Sequence, residues 1–306
     1  MCIIKAISGY EVAIFVRYPF VGQALSVTLF TRTGVPVGLT CRCGGNTPMQ
    51  SPDIGAAMTE FSQYSTQQQA EGAGARVNRA FPTAGHDHLD PFVLLDEFFV
   101  GDDGFPEHPH QGFEIITYML EGAFEHTDTT GASETIRAGG AQRLRVGSGL
   151  RHSERPGTSD PDHGLQLWIN LPRDGKDTDP HYLDADRDAL PVDARDGVTV
   201  TTIVGEGSPL DLRADVRYEL VEVAAGATYT WAVNSGWSAL LYPIAGTVTI
   251  PTGTVAQGEF ASRNGRDQDT GDPATVRVEA TTDATVAAIT GAPFDEPITQ
   301  RGPVVL

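Results

Sequence analysis

Apolar positions in this chain come in short runs, and glycine or proline usually follows within a few residues. The runs Val93–Phe99, Glu114–Leu120, Gln166–Leu171, Val198–Val204, Tyr218–Val223, Leu240–Ile244 and Val276–Glu279 each have strand length. They are rich in β-branched and aromatic residues, which suit a pleated, half-buried surface. Gly122, Gly131, Gly139, Gly140, Gly147 and Gly149 punctuate the first half at turn spacing. No helical periodicity persists beyond two turns. The pattern predicts an all-β protein, a sandwich, jelly roll or barrel with turns about every ten residues.

The chain has 306 residues, enough for two domains with separate cores. The stretch Pro172–Asp196 is acidic and broken by prolines, and it is the candidate linker. Histidines lie only ahead of or within it, the last being His181. The expected domains are therefore 58–182, which carries the histidines, and 183–306, which carries none.

Composition sets the first 57 residues apart. All three cysteines, Cys2, Cys41 and Cys43, lie there, with four basic and two acidic residues. Residues 58–306 hold 17 basic and 38 acidic residues. Charge and cysteine content switch where Met58 stands, so the stretch 1–57 is expected to be an upstream extension outside the fold, with translation beginning at Met58. It lacks an unbroken apolar run of membrane-spanning length or a signal-peptide pattern. Thr59–Gly72 is polar and reads as a loose arm.

The net charge of −19 disfavours direct contact with nucleic acid. Its basic residues are nearly all arginine, with only Lys5 and Lys176 as lysines. That balance resembles proteins of a high-salt cytoplasm. A cytoplasmic monomer is expected. The lack of cysteine beyond residue 43 argues against disulfides or iron–sulfur chemistry in the body of the chain.

One pattern carries chemistry. In Phe105–His110, His108 and His110 are two apart, so on an extended strand both face the same way. Pro106 and Pro109 cannot donate to a ladder, so this piece is a strand start or an edge. Forty residues later, Gly147 and Gly149 allow a tight turn into a strand where His152 and Glu154 share a face. Two such strands in one barrel can converge three imidazoles and a carboxylate on one ion and leave positions open. Fe(II) suits that set, with Mn, Ni, Cu or Zn as alternatives. Glu114 would join the His108 face if the strand ran on. The pair His86 and His88 has no strand run behind it and reads as loop. His126 reads as flanking a turn or supporting a ligand from outside; His163 and His181 read as solvated loop residues.

These segments resemble the pirin family, a branch of the cupins. The resemblance rests on GAGARVNRAF (72–81), LDPFVLLDEF (89–98), HPHQGFEIITYMLEG (108–122), SGLRHSERP (148–156), HGLQLWINLP (163–172) and GAPFDEPITQRGPVV (291–305). It covers about residues 72–305. It implies a bicupin, two jelly-roll barrels in tandem, with iron in the first held by His108, His110, His152 and Glu154. It prefers Glu154 over Glu114 as the carboxylate ligand and leaves Glu114 to support the site. Gln111 departs from the arginine usual there.

The resemblance implies two functions. One is a quercetin 2,3-dioxygenase-like enzyme acting on flavonol-like or enolic aromatic substrates, with Glu154 as ligand and proton acceptor and Phe98, Phe113, Leu144 and Trp168 walling the pocket. The other is an iron- and redox-dependent regulator that binds a transcription or metabolic protein partner. A metal-binding scaffold without activity is the third reading.

Overall fold

In the computed structural model, the described residues are 60–101, 103–158, 162–267 and 271–306, together with the strands Ser26–Phe30 and Pro36–Thr40. Those two strands form an antiparallel hairpin with Ser26 opposite Thr40, in a unit spanning Met1–Ile54. The expected start at Met58 lies outside the described residues. The second unit spans Gly55–Leu306.

That unit contains two barrels built on one plan. In the first, a seven-stranded antiparallel sheet runs in the order His181–Ala185, Ala141–Arg145, Phe113–Glu121, Asp162–Asn170, Phe92–Val100, Ala75–Phe81, Gln67–Glu71. A four-stranded sheet, in the order Ser133–Arg137, Ala123–Asp128, Leu150–Pro156, Phe105–His110, closes over it. The second barrel repeats this. Its large sheet runs Val192–Arg195, Val198–Val204, Val216–Val223, Ala284–Gly291, Ser238–Ala245, Glu259–Arg263, Ser62–Ser65. Its small sheet runs Thr228–Val233, Ala274–Ala280, Thr247–Ile250, Gly253–Ala256. The all-β, two-cupin architecture agrees with the expected fold, and each of the seven predicted runs lies within or overlaps an observed strand.

The large sheets pack face to face. Phe81, Phe92, Leu95, Ile116 and Leu167 of the first barrel share a buried cluster with Tyr218, Leu240, Tyr242, Phe260 and Ile289 of the second. Burying each such side chain contributes about 1.5–3 kcal/mol, so this seam is a major share of the core.

Two expectations change. The expected loose arm, over its described residues 60–72, carries strands instead: Ser62–Ser65 adds to the second barrel against Glu259–Arg263, and Gln67–Glu71 adds to the first against Ala75–Phe81. Both are edge strands with mostly exposed side chains, so they need no apolar alternation. The linker Pro172–Asp196 also carries structure. His181–Ala185 pairs with Ala141–Arg145, and Val192–Arg195 pairs with Val198–Val204. The chain thus crosses between barrels after Ala185, not through free chain.

Two glycines shape the site. Gly112 has a φ of 89°, and a Cβ there would collide with the Val305 carbonyl. It ends the strand at His110 and lets the C-terminal segment approach. Gly147, φ 44°, makes the turn ahead of His152 and lies hard against the Thr178 carbonyl. Neither backbone conformation suits a residue with a side chain.

Candidate metal centre

Phe105–His110 is an edge strand of the small sheet and pairs antiparallel with Leu150–Pro156. In that register His152 lies opposite His108, and Leu150 opposite His110. The three rings close on one another, with centroids 4.6 Å apart for His108–His110, 4.4 Å for His108–His152 and 4.9 Å for His110–His152. The alternation of the strands therefore does what the spacing predicts.

The nitrogens are arranged for a cation. His108 directs Nδ1 at the Pro106 carbonyl, 2.8 Å away, which leaves Nε2 free to bind. That Nε2 is 3.1 Å from Nε2 of His152. Two nitrogens at right angles, each about 2.1 Å from an ion, are separated by about 3.0 Å. Burial holds all three imidazoles below their ordinary pKa. His110 falls to about 3 through burial and the neighbouring His108. His152 is depressed by burial and by the three histidines around it. Neutral imidazole is the form that binds metal. The buried Nδ1 of His152 has no hydrogen-bond partner among protein atoms. Buried polar atoms are rarely left so. The residues fit a divalent ion.

Glu154 is 2% exposed beside this cluster. Its Oε1 accepts from Gln142 Nε2 at 2.8 Å, and its Oε2 from Gln166 Nε2 at 3.2 Å. The indole N–H of Trp168 donates to Gln166 Oε1 at 2.9 Å. An indole only donates, so this bond fixes the amide with its NH2 toward Glu154. Burial raises the Glu154 carboxyl to about 7, against the opposing effect of the two amides. Gln142 and Gln166 lie in one row across the large sheet, each opposite Thr117. No sequence motif marks them.

The sequence leaves His126 either flanking a turn or supporting a ligand from outside; the structure buries it to 1% exposure beside the cluster. Buried and exposed positions alternate through Ala123–Asp128, which turns Phe124, His126 and Asp128 inward. That alternation was the available signal. Among the described residues, two groups could hold an ion: His108, His110 and His152, and His126, His152 and Glu154.

Glu114 does not support the site. It is fully buried on the opposite sheet face, where its Oε2 accepts from the backbone N–H of Arg213 in the second barrel. The strand reading failed because Gly112 separates Phe105–His110 from Phe113–Glu121. His86 and His88 lie in a loop as expected, with His86 bound to Ser262 and His88 to the Val93 carbonyl. His163 is not solvated: it lies in a strand, 2.9 Å from Glu97, stacked on Phe99. His181 is exposed, but on a strand.

A cavity of about 600 Å³ opens onto His108, His110 and Glu154. Val77, Leu94, Phe98, Phe105 and Trp168 form its apolar wall. Phe113 lies behind Trp168, stacked at 4.3 Å, and Leu144 is core, so neither lines it. Arg79 sits at the wall in a two-point pair with Asp96, at 2.8 and 2.6 Å. The C-terminal segment contributes Gln300, Gly302 and Pro303. That segment is tied down by Gln111, whose carbonyl accepts from Val305 N–H at 2.9 Å, and by Lys176, which donates to the carbonyls of Gly112 and Val305.

Residues 74–169 match the family model for pirin, and residues 218–306 match the model for the pirin C-terminal cupin domain. The chain belongs to the pirin family. It is 40% identical over 254 residues to a pirin-like protein of Caulobacter vibrioides, covering 78% of this chain and 88% of that one. It is 35% identical over 247 residues to pirin of Homo sapiens, covering 79% and 85%. A quercetin 2,3-dioxygenase structure from Acinetobacter baumannii superposes with a TM-score of 0.74 at 25% identity, over 81% of this chain and 92% of that one. The Escherichia coli pirin YhhW in complex with nickel(II) superposes at 0.63 and 21% identity, covering 76% and 99%, and shares the fold. The first pirin match contains every residue of the histidine and glutamate cluster. No described helix is long and apolar enough to cross a membrane.

Proposed function

We propose that this pirin is an iron-dependent dioxygenase of the quercetin 2,3-dioxygenase type, acting on planar aromatic substrates with an enolic or phenolic hydroxyl. Its ligands are His108, His110, His152 and Glu154. The observation that carries the reading is the aromatic-walled cavity ending on two of those imidazoles and that carboxylate. The structural likeness to a quercetin 2,3-dioxygenase supports it.

When bound, the ion supplies an open coordination position that lowers the pKa of a substrate hydroxyl and a redox centre for reaction with O2. The chain does the rest. Phe98, Phe105 and Trp168 receive a planar ring and exclude water from it. Glu154 takes the hydroxyl proton, its carboxylate held in place by the two amides beside it. Gln142 and Gln166 keep that carboxylate from turning, and Trp168 keeps Gln166 from turning. The wall and the proton acceptor are thus coupled through one indole.

The test is oxygen uptake by the full-length chain loaded anaerobically with Fe(II), in molar salt, against a panel of flavonols and simpler catechols. Uptake above that of metal-free protein, matched by loss of the substrate's absorption band, is the expected result. No uptake with any member would overturn the oxygenase reading and favour the redox-dependent regulator of a protein partner.

A further inference from the structure

The buried cluster holds more donors than three histidines and a glutamate. His126 points Nε2 at Asp128 Oδ2, 3.0 Å away. Asp128 is itself fixed, because its Oδ1 accepts from the Thr130 N–H at 2.7 Å and from the Thr130 hydroxyl. A carboxylate on one imidazole nitrogen draws the ring proton there and leaves the other nitrogen as a bare lone pair. That other nitrogen, Nδ1 of His126, is buried and has no hydrogen-bond partner. Tyr182 stacks on the ring at 4.8 Å and holds its plane. The ring thus has an orienting carboxylate, a locked plane and a free nitrogen, as a metal-binding histidine does.

Its neighbours complete a set. Ligand atoms of His126, His152 and Glu154 lie within 4.8 Å of one another, and all three residues are buried. His152 belongs to both groups: its Nε2 faces His108, and its Nδ1 is bare. Two imidazoles and one carboxylate form the donor set of many Fe(II) and Zn(II) sites.

We propose that His126, His152 and Glu154 form a second, inner position for a divalent cation, sharing His152 with the position at the head of the cavity. Two dications so close would repel strongly in a dry interior, so the centre holds one ion, which partitions between the positions. Asp128 is the positioning residue for the inner one. The inference rests on the cluster binding metal and is independent of the oxygenase chemistry.

Co(II) is the probe, because its visible absorption reports the ligand set. The full-length chain is titrated with Co(II), as are a His108→Ala/His110→Ala variant and the same variant with His126→Ala added. The wild type is expected to bind one ion. The double variant should still bind one, about 10- to 100-fold more weakly and with a changed spectrum. Adding His126→Ala should remove binding, and adding Asp128→Asn instead should weaken it about 10-fold. A folded double variant that binds no Co(II), or a triple variant that binds as well as the double, overturns the inner position while leaving the outer one standing. A wild type that binds none overturns both. If the double variant fails to fold, His126→Ala alone should alter the Co(II) spectrum, and an unchanged spectrum overturns the proposal.

Discussion

The two barrels have the same strand order but opposite interiors. In the first, the small sheet turns His108, His110, His126, His152 and Glu154 inward, beside a cavity. In the second, strands in the same places of the small sheet turn Tyr229, Trp231, Val248, Val276 and Val278 into a packed core with Val221 and Leu241. One fold holds a polar cluster beside a cavity or a solid block, according to which residues take the inward positions of three strands. The filled barrel braces the open one: its outer sheet face backs the first barrel's large sheet, and its C-terminal segment reaches the cavity wall. The open barrel gives up packing and holds the bare imidazole nitrogens of His110, His126 and His152.

That contrast can be broken in measurable ways. The largest effect is expected in the block. Trp231 is fully buried, and Trp231→Ala should cost about 3–5 kcal/mol in chemical denaturation of the metal-free protein. A loss under about 1 kcal/mol would mean that the second barrel is not a packed support.

The first barrel should answer in the opposite sense. His152 is 1% exposed with a bare Nδ1. His152→Leu removes that unpaired atom at similar volume, and the metal-free protein should gain about 1–3 kcal/mol. A metal-free protein weakened by this change would show that the cluster already stabilises the fold without an ion.

Acidification sharpens the same point. Burial lowers the pKa of His108, His110, His126 and His152, so below about pH 6.5 the unfolded chain takes up protons that the folded chain refuses. These four histidines should therefore contribute a loss of stability to the metal-free protein as pH drops from about 6.5 toward 4.5. Glu154, raised to about 7, works against this, because the folded state keeps its proton over that range. Within the cluster it is one group against four. His110→Ala should flatten the slope by up to about 1.4 kcal/mol per pH unit. An unchanged slope would show that His110 is protonated in the folded protein.

The smallest effect concerns Glu154. Gln166→Leu removes one of the two amides on Glu154 and loosens the tie to Trp168. The carboxyl should titrate higher still, and the acid limb of oxygen uptake should move upward in pH. An unmoved limb would separate Glu154 from the proton transfer.

The sequence made the centre legible where chemistry and strand period coincide. His108 and His110, like His152 and Glu154, are two apart, and alternation alone puts each pair on one face. It left His126 between flanking a turn and supporting a ligand, because a histidine between a polar residue and a turn is ambiguous until its strand's inward face is known. It misplaced Glu114, because one glycine ends a strand that the pattern alone would continue. The amides of Gln142 and Gln166 leave no trace, since glutamine is ordinary on any strand. Ser62–Ser65 and Gln67–Glu71 escape for a different reason: edge strands bury little, so apolar alternation never marks them. The two-cupin fold was readable, but the pairing of Ser62–Ser65 with the second barrel was not.

If the histidines and glutamate of the first barrel form one metal centre, His152 belongs to every arrangement of it. The direct measurement is iron per chain after anaerobic Fe(II) loading and desalting, for the full-length protein and His152→Ala side by side. One iron per wild-type chain and almost none in the folded variant is the predicted result. Equal iron in both would contradict it and place the ion elsewhere.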